Sequence, residues 1–289
     1  LQLGRGLVLA LRKVDELGTD QALRGGLVRH DGELFSAMAF GGVTNIANMD
    51  GVTQKFLEDP NDVLAGGSAT LYLDSAALSL HGIYLKPRIP VNDLYDDDQT
   101  LAGGAYLDLP LLDWLSLYAE GAASEARRSG EAVPGKALYL AADLDLQVVS
   151  LLVEGLWLDQ FVIEGSRDQT LLLANTYNQP PTLERIDQEV LDNRNVRGGR
   201  VKLSRGFLDG DLVVYVNGVL RQYGTSDNPT DTIHGYGGFE YTYGAGQSRW
   251  YLSGGRRWGS RPPAPRRRWP TRRPTGCRRS AAAGRRIWW

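Results

Sequence analysis

The chain has 289 residues, of which 42% are hydrophobic and 23% charged, with a formal net charge of −2 and one cysteine. A single cysteine excludes a disulfide framework, and the lack of any run of 18 apolar residues excludes a transmembrane helix. Twelve arginines lie in the last 34 residues, so the first 255 residues carry 20 basic and 34 acidic side chains, a net charge of −14. This acidic body argues against nucleic-acid binding.

Apolar and polar residues alternate in short segments along most of the chain. In one segment Leu78 and Leu80 alternate with Ser79 and His81. A period of two indicates a β-strand, because successive side chains point to opposite faces of a sheet. We predict thirteen strands, near residues 6–13, 22–30, 34–45, 66–73, 77–86, 100–109, 115–123, 136–143, 148–158, 198–205, 211–223, 233–243 and 247–255.

The connections between these segments are alternately short and long. Short turns include the one at Asp31-Gly32, a typical hairpin dipeptide, and the longer connections cover 14–21, 46–65, 87–99, 124–135, 159–197 and 224–232. Short turns on one side and long loops on the other are typical of outer-membrane barrels. We therefore predict an all-β, antiparallel up-and-down transmembrane β-barrel, incomplete at its C-terminus and with about 14–18 strands when intact. A soluble sandwich or propeller is the alternative, since alternation also suits a sheet with one wet face.

Two regions are expected along the chain. Residues 1–255 form the partial barrel domain, and residues 256–289 form a tail rich in Arg, Pro and Trp without strand or helix periodicity. A basic arm for nucleic acid or anionic lipid is one interpretation of the tail, but its abrupt composition favours out-of-frame translation and a non-native or disordered segment. The chain opens at Leu1 without a signal peptide, so a fragment is expected.

The polar face of the predicted strands supplies the candidate site. A charged side chain that alternates with lipid-facing Leu and Val must meet water or another charge, because Arg or Lys facing lipid at the midplane costs about 2–4 kcal/mol. We therefore predict a wet lumen and a porin-like channel for small solutes. The predicted lumen-lining residues are Glu120, Glu154, Arg200, Lys202, Asn217, Arg221, Glu240 and Arg249, mixed with Tyr106, Tyr118, Tyr215 and Tyr251.

The acidic loops allow a second interpretation. Glu58, Asp59 and Asp62 are predicted to be solvated, and Asp93, Asp96, Asp97 and Asp98 form a weak candidate cation site. Carboxylates are the hard ligands that calcium prefers, but their spacing does not match an EF-hand loop. No resident metal or cofactor is predicted. Long acidic loops also leave open a non-conducting structural or binding protein, such as an adhesin or a secretion accessory.

Catalysis has a single candidate pair in the sequence. Ser79 and His81 are two residues apart and share one face of a strand, an arrangement that a nucleophile and its base could use. We interpret both as lumen-facing polar residues, because Leu78, Leu80 and Tyr84 occupy the opposite face. The protein is therefore not predicted to be an enzyme.

The connection at 159–197 is too long for a simple turn between strands. Residues 182–191 are predicted to form a short helix that begins at Thr182. The connection either enters the lumen as a constriction or forms an external lid.

Three short motifs lie in the N-terminal third of the chain. They are Gly4 to Leu7, Asp15 to Gly18 followed by Leu23-Arg24-Gly25-Gly26, and Gly42 to Asn45. They resemble the N-terminal part of uncharacterised, porin-like outer-membrane β-barrel proteins of Gram-negative bacteria. The resemblance covers mainly residues 4–90 and implies a barrel in the outer membrane, in contact with lipid and lipopolysaccharide. It implies no solute and no oligomeric state.

Overall fold

A computed structural model of the protein describes residues 1–11, 13–14, 19–48, 61–88, 98–168, 173–183, 194–224, 229–243 and 248–259. Seventeen strands and one 3-10 helix at Leu208–Gly210 account for most of them. Among the described residues, no helix has the length and apolar character needed to cross a membrane. The strands are β1 (Gln2–Leu3), β2 (Leu9–Ala10), β3 (Lys13–Val14), β4 (Thr19–Asp31), β5 (Phe35–Asn48), β6 (Val63–Leu73), β7 (Ala76–Lys86), β8 (Gln99–Leu112), β9 (Leu115–Arg128), β10 (Glu131–Asp145), β11 (Ser150–Asp159), β12 (Glu164–Asp168), β13 (Leu173–Thr176), β14 (Val196–Phe207), β15 (Leu212–Tyr223), β16 (Thr230–Tyr243) and β17 (Ser248–Gly259).

One antiparallel sheet of thirteen strands dominates the fold. Its order is β17-β16-β15-β14-β11-β10-β9-β8-β7-β6-β5-β4-β3, so each strand pairs with its neighbour in the chain except where β14 follows β11. The pairs β1-β2 and β12-β13 form two small separate sheets. Within the described residues the edge strands β3 and β17 do not pair with each other, so the sheet is not closed. The predicted all-β, up-and-down class is confirmed.

Twelve of the thirteen predicted strands correspond to β4–β11 and β14–β17. The prediction of a barrel strand at 6–13 is wrong: β1 and β2 pair with each other, and only the two-residue β3 joins the main sheet. Alternation is weak there because Leu7, Val8 and Leu9 are all fully buried. The predicted long connection at 124–135 is also wrong. Strands β9 and β10 continue to a two-residue turn at Ser129-Gly130, whose positive φ values of 52° and 81° suit a tight hairpin.

The two faces of the sheet differ sharply in exposure. On the outer face, large apolar side chains are exposed, including Leu80 (62%), Leu101 (63%) and Val216 (61%). On the inner face, alternate residues of the same strands are buried, as in the pattern of β10 from Gly135 to Ala141. A water-soluble sheet would place its apolar side chains in a core, so an apolar exposed face of this extent indicates a lipid environment.

Aromatic residues lie at two levels of the outer face on the edge strand β17. Trp250 and Trp258 lie eight residues apart on β17, which corresponds to roughly 27 Å along an extended strand. Trp250 has Tyr243 as an edge-on neighbour, with ring centroids 6.2 Å apart. A strand tilted by about 40° would separate these two levels by roughly 20 Å, comparable to the apolar band of outer-membrane barrels with its aromatic girdles.

A compact unit covers the inner face, and we call it the interior insert: residues 1–11, 161–168 and 173–183. Its N-terminal part, residues 1–11, is hydrogen-bonded to its second part, which comes from the 159–197 connection. Ala10 N donates to Tyr177 O at 2.8 Å, and Gln179 N donates to Gly6 O at 2.9 Å. Phe161, Ile163 and Leu183 are buried in one hydrophobic cluster with inner-face residues of the sheet. The insert contacts strands as far apart as β5 and β14, which indicates that the sheet curves around it.

Candidate functional site

The eight predicted lumen-lining residues all lie on the inner face of the sheet. The register places Glu154 opposite Arg200 and Lys202 opposite Asn217, and Glu240 is opposite Tyr251. Glu120, Asn217 and Arg221 are at most 4% exposed, whereas the side chain of Arg249 on the edge strand β17 is 66% exposed. The sheet therefore carries one continuous polar wall, which the insert contacts from β5 to β14.

Glu120 is at the centre of a polar cluster on this wall. Its carboxyl group accepts hydrogen bonds from the Tyr118 hydroxyl at 2.7 Å and from the backbone N–H of Arg5 at 2.9 Å. The His81 ring nitrogen Nε2 lies 3.6 Å from the other carboxyl oxygen. The ring of Tyr106 stacks on that of Tyr118 at 5.6 Å. Residues from β7, β9 and the insert therefore meet at one carboxyl group, and Tyr106 on β8 packs against the ring of Tyr118.

Glu154 and Arg200 form a second cluster one strand further along. They lie directly opposite each other on β11 and β14 and form an ion pair. The Tyr139 hydroxyl donates to Glu154 at 2.5 Å. Because the pair is largely buried, its two charges must neutralise each other, and removing either one would leave an uncompensated charge.

Lys202, Asn217 and Arg221 form a third group on β14 and β15. The Lys202 ammonium lies 5.6 Å from the Tyr215 ring centroid, and the Arg221 guanidinium lies 4.9 Å from that of Tyr223. Asn217 is 1% exposed, and neither side-chain atom has a hydrogen-bond partner among the described residues. At the edge of the wall, Arg249 Nε contacts Glu240 at 3.0 Å.

Ser79 and His81 face the inner side of the sheet, as their alternation with Leu78 and Leu80 predicted. Both are buried, while Leu78 and Leu80 are exposed. The hydroxyl of Thr70 donates to Ser79 Oγ at 3.0 Å, and His81 lies beside Glu120. The structure therefore places each side chain next to a partner on a neighbouring strand.

Asp62 is the main anchor of the insert, contrary to its prediction as a solvated loop residue. It is fully buried at the start of β6. Its Oδ2 accepts from Ser166 N at 2.9 Å and from the Tyr177 hydroxyl at 2.8 Å, and its Oδ1 accepts from Arg88 N at 3.0 Å and from the Ser166 hydroxyl. A carboxyl group with four donors is well compensated without a cation.

A second anchor holds β12 to the hairpin of β9 and β10. Glu164 forms ion pairs with Arg128 at 2.7 Å and with Arg194 at 2.5 Å. These contacts place the start of the predicted 159–197 connection against the inner wall. The predicted helix at 182–191 lies almost entirely outside the described residues.

The candidate cation site in the third long connection is only partly visible. Asp98 is described and is 3% exposed, and it accepts a hydrogen bond from Ser129 N at 2.8 Å. Asp93, Asp96 and Asp97 lie outside the described residues. In the part of the chain that is described, no group of three or more His, Cys, Asp or Glu residues could hold a metal ion.

The sequence singles out neither Arg5 nor Asp62 as a site residue. Arg5 precedes an apolar run, and Asp62 follows a loop rich in acids, so local pattern gives no reason to expect a structural role for either one. Their partners are distant in the chain: Glu120 is 115 residues from Arg5, and Ser166 is 104 residues from Asp62. Only the three-dimensional fold brings these groups together.

The fold is shared with solved outer-membrane proteins, although no protein-family model and no curated protein matches the sequence. OccAB1 of Acinetobacter baumannii has a TM-score of 0.56 and 10% identity, over 90% of this chain and 67% of that one. A BenF-like porin from Pseudomonas fluorescens has a TM-score of 0.53 and 13% identity, over 86% and 67%. OccK2 of Pseudomonas aeruginosa, solved with glucuronate, has a TM-score of 0.53 and 13% identity, over 86% and 70%. The chain therefore has the fold of Gram-negative outer-membrane porins, which confirms the predicted barrel class and outer-membrane location.

Proposed function

We propose that the protein is a porin-like channel through which small hydrophilic solutes cross the outer membrane. The observation that carries this proposal is the polar inner wall, in which Glu154, Arg200 and Lys202 alternate with exposed outer residues such as Val153 and Val201. The sheet has twelve long strands. Side chains alone can fill the interior of a barrel of about eight strands, and a wider barrel leaves space inside. A wall of this width and polarity suits a water-filled lumen.

The interior insert supports a narrowed rather than an open channel. It is anchored to the wall by Asp62 and Glu164, and its apolar residues Phe161 and Ile163 are buried against the sheet. Beside it, Lys202 and Arg200 are only partly buried, and Arg249 is exposed. Solutes would therefore pass along the β14–β17 side of the wall, where charges of both signs remain accessible.

Lipid and lipopolysaccharide are the proposed partners of the outer face. The solute is proposed only as a small hydrophilic molecule. Glucuronate in the OccK2 structure shows that a protein of this fold can hold such a molecule. The partly buried Lys202 and the exposed Glu240–Arg249 pair offer groups for a solute of either charge.

Single-channel recording tests the proposal. The full-length protein, reconstituted in planar bilayers in KCl, is expected to conduct, and a variant in which a short Gly-Ser linker replaces residues 165–193 is expected to conduct more. The control replaces Asp108 by Asn, since Asp108 is exposed on β8 and its side chain makes no hydrogen bond or ion pair among the described residues. If neither the wild type nor the linker variant conducts, the channel proposal is wrong.

A non-conducting structural or binding protein is the second candidate. The insert favours it, because it buries the centre of the wall, including Glu120 and Asp62. In that case the insert would be a permanent interior core, and replacing its part within residues 165–193 would destabilise the barrel without producing conductance. The linker variant therefore separates the two candidates, with circular dichroism as the check that it still folds.

A further inference from the structure

We propose that Tyr118, Glu120, Tyr139 and Glu154 form a guanidinium site on the inner wall, which the chain's own Arg5 occupies in this structure and which can accept a guanidinium-bearing solute. The site adds a ligand class to the proposed channel and rests on the inner wall being reachable from the lumen. It does not require that the protein conduct ions.

The position of Arg5 defines the site. Its guanidinium carbon lies 4.1 Å from the ring centroid of Tyr118 and 5.6 Å from that of Tyr139. Its Nη1 donates to the Tyr139 hydroxyl at 3.3 Å. The group therefore stacks on one ring and bonds the edge of the next, a geometry that suits the flat guanidinium better than the compact ammonium of lysine.

Two carboxyl groups stand behind the aromatic rings. The Tyr118 hydroxyl donates to Glu120, and the Tyr139 hydroxyl donates to Glu154. These bonds fix the ring orientation and direct the negative potential of both carboxyl groups towards the stacked cation. Glu154 is already paired with Arg200, but one oxygen of Glu120 has no hydrogen-bond donor among the described residues. This oxygen is fully buried beneath Gly4, so a stacked cation experiences the Glu120 charge without touching the carboxyl group.

Arg5 can be removed without dismantling the site. Its contact with Glu120 is made by the backbone N–H, which any residue at this position keeps. Its side chain is exposed, whereas Tyr118, Tyr139, Glu120 and Glu154 are buried. A substitution at Arg5 therefore vacates the stacking position on the lumen side and leaves the four wall residues and their mutual hydrogen bonds in place.

A tethered Arg5 acts as an internal competitor. A group held on a short segment has an effective concentration of about millimolar or more. An arginine-like solute must displace this side chain, so the wild type is expected to bind it weakly. Competition from Arg5 would in this way raise the concentration of a guanidinium compound that is needed to occupy the site.

The test is a calorimetric titration of the detergent-solubilised full-length protein with L-arginine. Arg5→Ala is expected to bind L-arginine about tenfold more tightly than the wild type, because the tethered competitor is gone. Binding to Arg5→Ala is expected to follow the order L-arginine, L-lysine, L-citrulline, since citrulline has the shape of arginine without its charge. Arg29→Ala is the matched control, because Arg29 is exposed on β4 and, among the described residues, forms its ion pair with Asp31 on the same strand.

Second substitutions in the Arg5→Ala background locate the binding. Glu120→Gln and Tyr118→Leu are each expected to abolish the gain. If either variant does not fold by circular dichroism, Tyr139→Phe replaces it and is expected to reduce the gain, because it removes the hydroxyl that accepts from the guanidinium. The proposal is overturned if Arg5→Ala binds L-arginine no better than the wild type, or if L-citrulline binds equally well. Conductance in KCl is recorded on the same samples: a silent protein that still binds L-arginine refutes the channel and leaves the guanidinium site intact.

Discussion

Replacing Asp62 by asparagine is the sharpest test of how the interior insert is held. The substitution preserves shape but converts one carboxyl oxygen into an NH₂ group. Each oxygen of Asp62 accepts one backbone N–H, from Ser166 on Oδ2 and from Arg88 on Oδ1. Hydroxyl groups can rotate to accept from the new amide, but a backbone N–H cannot. Whichever way the amide is oriented, one backbone donor loses its acceptor, either the buried N–H of Ser166 or the part-buried N–H of Arg88.

The magnitude follows from these four bonds. An orphaned buried donor costs about 1–3 kcal/mol, and two remaining bonds lose about 1 kcal/mol each when their acceptor is no longer charged. The neutral amide is cheaper to bury than the carboxylate, which offsets part of this loss and leaves a net cost of about 2–4 kcal/mol. Docking of the insert should therefore weaken by roughly 30- to 700-fold, at about 1.4 kcal/mol per factor of ten.

Amide hydrogen exchange measures this loss directly. The amide of Tyr177 bonds Ile163 O, and that of Ala10 bonds Tyr177 O, so both report on the insert. Their exchange in Asp62→Asn is expected to accelerate by roughly 30- to 700-fold, while amides in the centre of β9 and β10 stay protected. Asp108→Asn serves as the control. Unchanged exchange at Tyr177 would refute the assignment of Asp62 as an anchor.

Two further predictions concern the faces of the sheet and the close approach of the insert. Val201→Arg is expected to lower the free energy of unfolding in lipid vesicles by about 2–4 kcal/mol, because position 201 faces lipid. Ser204→Arg on the inner face should lower it by less than about 1 kcal/mol. Equal losses of stability in the two variants would contradict the assigned faces. Gly4→Ala is expected to accelerate exchange in the first eleven residues, because Gly4 has a φ of +57° and its Cβ would overlap the Glu120 carboxyl group. Gly121→Ala, with nothing within 4 Å of its Cβ, is the control that should change little.

The sheet is largely predictable from sequence, because a strand between lipid and a polar interior must alternate. In β9, Glu120 and Tyr118 are buried while Leu117 and Ala119 lie on the other face, as their order in the chain predicts. The bounds are less predictable. Strand β9 ends at Arg128 and β10 begins at Glu131, both beyond the predicted bounds. Small and charged residues there hide the alternation of apolar and polar side chains. Similarly, β17 extends to Gly259, four residues past the predicted end of the barrel domain.

The interior insert is not predictable in the same way. Leu7, Val8 and Leu9 are buried on every side, so their run has the apolar character of a strand without its alternation. In the sequence Asp62 lies among loop acids, and its hydrogen-bond partners Ser166 and Tyr177 are more than 100 residues away. Local periodicity reports which face a residue occupies within a strand, and it carries no information about a segment that packs onto that face from elsewhere in the chain.

The two parts of the insert are expected to respond together, because each is anchored separately and both are bonded to each other. Asp62 holds Ser166 and Tyr177, while Glu120 holds the backbone of Arg5. Between these anchors, Asn178 Nδ2 donates to Leu7 O at 3.1 Å, alongside the Ala10 and Gln179 bonds. Loss of the Asp62 anchor should therefore also loosen Arg5 in the guanidinium site. Asp62→Asn and Arg5→Ala would then show non-additive effects on L-arginine affinity, since residues that share one network couple in double-mutant cycles. Strict additivity would mean that the two anchors act on independent segments.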